Sequence, residues 1–105
     1  MRLREEVKQA IISVVESQLG SYPGELRLYG SRVNDTLKGG DIDLVFILEA
    51  PQQRAQIPIQ AYIIAAEIKK KIGDQKIDFS LIDYPMKADP FWSQALMQSV
   101  VLHQH

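Results

Sequence analysis

The 105-residue sequence contains no cysteine, which excludes disulfides, thiolate nucleophiles and cysteine-ligated zinc or iron–sulfur centres. It also lacks any apolar run near the roughly 18 to 20 residues that span a bilayer. Its start, Met1-Arg2-Leu3-Arg4-Glu5-Glu6, is charged where a secretory signal would be apolar. A cytoplasmic location without membrane attachment is expected. Nor is there an excess of one charge: 12 basic against 13 acidic side chains leave a formal charge of −1. That balance disfavours direct nucleic-acid binding, which exchanges clustered Lys and Arg for counterions. No internal repeat, low-complexity tract or linker interrupts the chain. What is present, 46% hydrophobic and 24% charged residues, suits a single soluble domain over residues 1–105. A chain of this size buries only about two-thirds of its unfolded surface, enough for one core and not for a second domain.

Leu3, Val7, Ala10, Ile11, Val14 and Leu19 recur at helical spacing among charged residues and predict an amphipathic helix over 2–19, with Gly20 as a left-handed stop. After the turn Ser21-Tyr22-Pro23-Gly24, residues 25–29 alternate as a strand that ends abruptly at Gly30-Ser31. Residues 32–40 read as a loop or a frayed turn of helix. Asp41-Ile42-Asp43-Leu44-Val45-Phe46-Ile47-Leu48 predicts a central strand buried on both faces. A second helix follows the polar connection 50–56, with Pro58 in its first turn and Ile59, Tyr62, Ile63, Ala66 and Ile72 on its buried stripe. The run Lys69-Lys70-Lys71 and then Gly73 end it, the lysines reading as a solvated helix end.

Residues 76–82 alternate again, with Asp78, Ser80 and Ile82 on one face and Ile77, Phe79 and Leu81 on the other. A Pro-containing loop leads to a short helix from Pro90 to about Ser99, with Phe91, Ala95 and Leu96 inward, and Val100-Val101-Leu102 forms a last extended piece. His103 and His105 read as a frayed tail, Trp92 as core or interface packing, Tyr29 as packing under a loop, and Glu49 and Glu67 as surface.

Three features stand out: a strand ending in Gly30-Ser31, a strand starting Asp41-Ile42-Asp43, and a third strand carrying Asp78. Side chains at i and i+2 of a strand share a face, so Asp41 and Asp43 point the same way. Carboxylates on adjoining strands repel and lose hydration, and a compact domain keeps them only with compensation. A divalent cation supplies it, since Mg²⁺ sits between one or two carboxylates and substrate phosphates. A third carboxylate, Asp78, leaves room for a second ion or a base for the incoming nucleophile in in-line displacement at phosphorus. Gly30 lets backbone approach closely, the amides and hydroxyl around Ser31 suit a triphosphate, and Arg32 or Lys38 neutralises further charge.

The stretch from Leu28 to Phe46 resembles the signature of the minimal nucleotidyltransferase family within the polymerase-β-like superfamily: a hydrophobic strand, Gly-Ser, a spacer of about ten residues, Asp-x-Asp, then a later strand with a third acidic residue. Gly40 stands where Ser is common and Asp35 where many members have Gly, departures that bear on loop shape. The resemblance implies an α+β fold, a mixed sheet of three to four strands with helices mainly on one face, and a site at an exposed edge. It also implies transfer of a nucleoside monophosphate, AMP from ATP, to a hydroxyl with release of pyrophosphate. Asp41, Asp43 and Asp78 would be catalytic and bind Mg²⁺. Gly30 and Ser31, with Arg32 and Lys38, would hold the nucleotide. Larger relatives carry a domain that grips the acceptor and this sequence ends soon after the core, so a partner is expected: a small helical HEPN-like toxin, or a helical substrate-binding subunit. With a toxin as partner, the preferred reading, the acceptor is the partner protein itself. The alternatives are an antitoxin that acts by contact alone, or transfer to a small molecule held by a separate subunit.

Overall fold

The computed structural model describes residues 3–30, 41–49, 57, 60–73, 75–83, 85 and 88–104. Helix α1 (Glu5–Leu19) leads into strand β1 (Gly24–Tyr29), followed by β2 (Ile42–Leu48), helix α2 (Ala61–Ile72), β3 (Ile77–Asp83), the short helix α3 (Pro90–Leu96) and β4 (Val100–Gln104). The strands form one sheet in the order β3-β2-β1-β4. β1 runs antiparallel to β2 and β4, while β2 and β3 are parallel and joined through α2, the crossover that a parallel pair requires. This is the mixed α+β architecture anticipated from the sequence.

α1 and α2 lie on one face. Ile11, Val14, Val15 and Leu19 of α1 and Ile64 and Ile68 of α2 close over Leu26, Leu28, Ile42, Leu44, Phe46, Leu48, Phe79 and Leu81, with Leu102 of β4 at the margin. On the opposite face α3 buries Trp92 against Tyr29, Val45, Ile47 and Ile82, with Ala95 and Leu96 packed alongside. β2 is therefore covered on both sides, as its continuous apolar run foretold. Asp89 caps α3 by accepting from the Phe91 amide at 3.0 Å, and Pro90 occupies the first turn, where no amide donor is needed.

Several local expectations are corrected. α1 starts at Glu5, and Gly20 is right-handed (φ −62°), so it is no left-handed stop. The helix ends there because Tyr22 precedes Pro23, which disfavours helical backbone, and Tyr22 N–H donates to Leu19 O at 3.0 Å instead. The stripe of α2 is rotated by about one position: Tyr62, Ile63 and Ala66 are exposed while Ile64 and Ile68 are buried, with Ala61, Ala65 and Ile72 beside them. The lysines fix this phase, because placing 69–71 in solvent leaves Ile68 and Ile72 to face the core. Pro58 and Ile59 lie outside the described residues, and α2 begins at Ala61 with Gln60 as its cap. In α3 it is Trp92 that points inward, and Phe91 is 61% exposed. His103 is no frayed tail either, for it belongs to β4 and its Nε2 lies 2.6 Å from Glu16 Oε1 of α1.

Candidate active site

The α3 face changes character along the strands. Tyr29, Asp43 and Asp78 stand side by side across β1, β2 and β3, Tyr29 paired with Asp43 and Asp43 with Asp78. One step further in, the same face carries Val45 and Ser80, and then Ile47 and Ile82 under α3. The acidic row thus sits where the apolar cover stops, at the C-terminal end of β1 and the N-terminal ends of β2 and β3. Because β2 is an interior strand, the row crosses the end of the sheet rather than running along an edge strand.

Asp43 is half-buried and Asp78 exposed. Burial raises the Asp43 carboxyl above its ordinary range, and the negative charges of Asp78 and then Asp41 add to the rise, with Lys76 working against them. Asp41 lies just before β2, and its Oδ2 is 3.6 Å from Lys76 Nζ. Tyr29 is raised chiefly by burial and next by Asp78, opposed by a hydrogen bond with Ser80, with a smaller upward push from Asp43. It therefore remains a neutral phenol at physiological pH.

Gly30 follows Tyr29 at φ +76°, a conformation L residues rarely adopt. A Cβ built there would overlap Asp43 Oδ2. Two constraints thus select glycine at once: the turn out of β1, and the space that the Asp43 carboxylate fills. Ser31, Arg32 and Lys38 lie outside the described residues.

The structure brings together Gly30, Asp43 and Asp78 and keeps Asp41 adjacent in sequence but ion-paired to Lys76. Among the described residues, no three of His, Cys, Asp or Glu converge as a ready metal-binding group. The donor chemistry nevertheless suits a hard divalent cation: oxygen ligands only, around an Asp43 carboxylate that its neighbours disfavour as an anion. Tyr29, Ser80 and Lys76 were not singled out as site residues from the sequence. Strand parity alone would have put Ser80 beside Asp78, but Tyr29 and Lys76 enter only through register.

The profile of the nucleotidyltransferase domain family matches residues 2–102, nearly the whole chain. The chain belongs to this nucleotidyltransferase family. Its fold agrees with that of a candidate nucleotidyltransferase from Sulfolobus solfataricus, solved at 1.40 Å: TM-score 0.51 at 17% identity, covering 100% of this chain and 93% of the other. No curated protein matches the sequence significantly. Nucleotidyltransferase domains generally use nucleoside triphosphates and a divalent metal. The polymerase-β-like resemblance read from Gly30-Ser31, Asp41-x-Asp43 and Asp78 thus agrees with the fold in which Asp43 and Asp78 are neighbours. Among the described residues no helix is long and apolar enough to cross a membrane.

Proposed function

We propose that this nucleotidyltransferase domain moves AMP from ATP to a hydroxyl of a protein partner, a small helical protein of the HEPN toxin type, from the cytoplasm of its host. The observation that carries the reading is the pairing of Asp43 with Asp78 at the end of the sheet beyond the α3 cluster, beside a glycine whose missing Cβ makes room for the Asp43 carboxylate. Asp41 and Asp43 would hold Mg²⁺, which supplies charge neutralisation at the triphosphate. Gly30 and Ser31, with Arg32 and Lys38, would cradle the phosphates. Asp78, exposed and next in register, would orient the acceptor hydroxyl or take its proton, so that the hydroxyl oxygen attacks the α-phosphorus and pyrophosphate leaves. A protein acceptor is supported by apolar side chains left in solvent on the short helix and just after it, Phe91 at 61% and Met97 at 77% exposed.

The test is to purify the protein with what it binds in its native lysate, add Mg²⁺ and ATP, and compare intact masses using wild-type and Asp43→Asn chains. An AMP-sized increment on the partner, absent with the variant, is the expected result. A stable complex that never gains mass would refute protein modification and leave neutralisation by contact. Pyrophosphate release that appears only with an added metabolite would assign the acceptor to a small molecule.

A further inference from the structure

The acidic row has a cation at its side. Asp41 and Lys76 each stand one residue before the first paired residues of the parallel strands, Ile42 of β2 and Ile77 of β3. The Ile42 amide donates to Lys76 O at 3.0 Å, so backbone sets the two residues opposite each other whatever their side chains do. Asp41 Oδ2 lies 3.6 Å from Lys76 Nζ, with the lysine side chain 80% exposed and the carboxylate 44% exposed. The influence of the ammonium reaches past this contact, since Lys76 also works against the upward push that burial, Asp78 and Asp41 exert on the Asp43 carboxyl. An ion pair this exposed adds little to stability. Its weight falls instead on what else binds the same carboxylates. A bare divalent cation is drawn by Asp41, Asp43 and Asp78 and repelled by Lys76. A complex of that cation with a nucleoside triphosphate carries net negative charge, so the carboxylates repel it and the ammonium draws it.

We infer that Lys76 sets the form in which the site accepts its metal: by pairing with Asp41 at the end of the acidic row, it weakens binding of a bare divalent cation and strengthens binding of a metal–nucleoside triphosphate complex. This inference deepens the proposed transfer reaction and rests on it. A bare cation that takes Asp41 Oδ2 must part it from Lys76 and then sit beside the ammonium it displaced. The triphosphate complex brings anionic oxygens of its own, which neutralise the ammonium once Asp41 is given up to the metal. Lys76 thereby favours metal that arrives with its nucleotide over metal that arrives alone.

Lys76→Gln removes the charge and spares the Ile42 contact, which is made by backbone. Isothermal titration calorimetry reads affinity without turnover, first with Mn²⁺ alone and then with the Mn²⁺ complex of α,β-methylene-ATP, whose α–β link cannot be cleaved. Lys76→Gln is expected to bind bare Mn²⁺ about fivefold more tightly than wild type and the complex about fivefold more weakly, the scale of one unit charge close to a surface site. Lys76→Arg keeps the charge and should stay within about twofold of wild type in both titrations. Lys70→Gln removes the same charge from α2, on the other face of the sheet, where Lys70 pairs with Glu67, and should also stay within about twofold in both. Weaker binding of both ligands by Lys76→Gln is what a merely structural lysine gives, and it overturns the inference. Tighter binding of both, or an unchanged constant in either titration, overturns it as well. A wild-type chain that binds neither Mn²⁺ nor the complex at millimolar concentration would instead sink the transfer reaction itself, and this inference with it.

Discussion

The two faces of the sheet use the same strands and end differently. Under α1 and α2 the strand positions Leu26, Leu28, Ile42, Leu44, Phe46, Leu48, Phe79 and Leu81 are apolar and closed from one end to the other. On the α3 side β2 reads Asp43-Val45-Ile47 and β3 reads Asp78-Ser80-Ile82, acidic at one end and apolar at the other. Helix length decides the difference. β2 has 7 residues, about 23 Å of strand, and α1 with 15 residues spans about 22 Å. α3 has 7 residues and spans only about 10 Å, so among the described residues it covers about half of its face. The carboxylates stand on the other half. One face is thus apolar throughout and the other is divided between an apolar half and an acidic row.

The most severe break of this division is Asp43→Asn. Loss of the carboxylate is expected to cost transfer about a thousandfold, or several kcal/mol of transition-state stabilisation. Pyrophosphate release under single-turnover conditions measures it, and the circular dichroism spectrum should not change. The mirror experiment on the closed face is Phe46→Ala. Phe46 is fully buried, and its truncation is expected to cost about 3–5 kcal/mol in urea unfolding with little effect on kcat per folded molecule. Gly30→Ala touches both properties at once: positive φ for a non-glycine residue costs about 1–3 kcal/mol, and the new Cβ must displace the Asp43 carboxylate. It should lower thermal stability and transfer together.

The smallest effect is pH-dependent. The Asp43 carboxyl is raised by burial and then by Asp78 and Asp41, so the folded chain holds this proton more tightly than the unfolded chain, whose ordinary value is 3.8. Protonation therefore favours folding below that range, and the contribution is lost as pH rises through the raised value. Asp43→Asn should match wild type in stability at low pH and exceed it at neutral pH, a difference that thermal melts from pH 3 to pH 7 would resolve. Equal stability of the two chains at every pH would show that the row carries no electrostatic cost.

Much of this division could be read before any coordinates. Period-two alternation puts Asp78 and Ser80 on a shared face, and the unbroken apolar stretch Leu44–Leu48 identifies the interior strand, whereas Asp41 lies just before β2 and outside its alternation. Register could not be read, because pairing Asp43 with Asp78 depends on how far the crossover through α2 carries the chain before β3 begins. The phase of α2 was misjudged because Tyr62 and Ile63 offer an apolar stripe as plausible as Ile64 and Ile68, and only the exposed lysines discriminate. Phe91 and Trp92 posed the same ambiguity, two adjacent aromatics of which one helix face can bury one. Tyr29 was legible as a strand residue but not as a member of the acidic row. Its place in that row depends on its register with Asp43.

The most direct test of the central claim, that the acidic half of the α3 face serves a cation and a nucleotide at the expense of stability, is the melting temperature of wild-type and Asp43→Asn chains with and without Mg²⁺ and ATP. A ligand at ten times its Kd adds about 1.4 kcal/mol, roughly 5–10 °C for a domain of this length. Wild type should gain that much, and Asp43→Asn should melt higher without ligand and gain nothing with it. An equal gain in both chains, or none in wild type, would contradict the account.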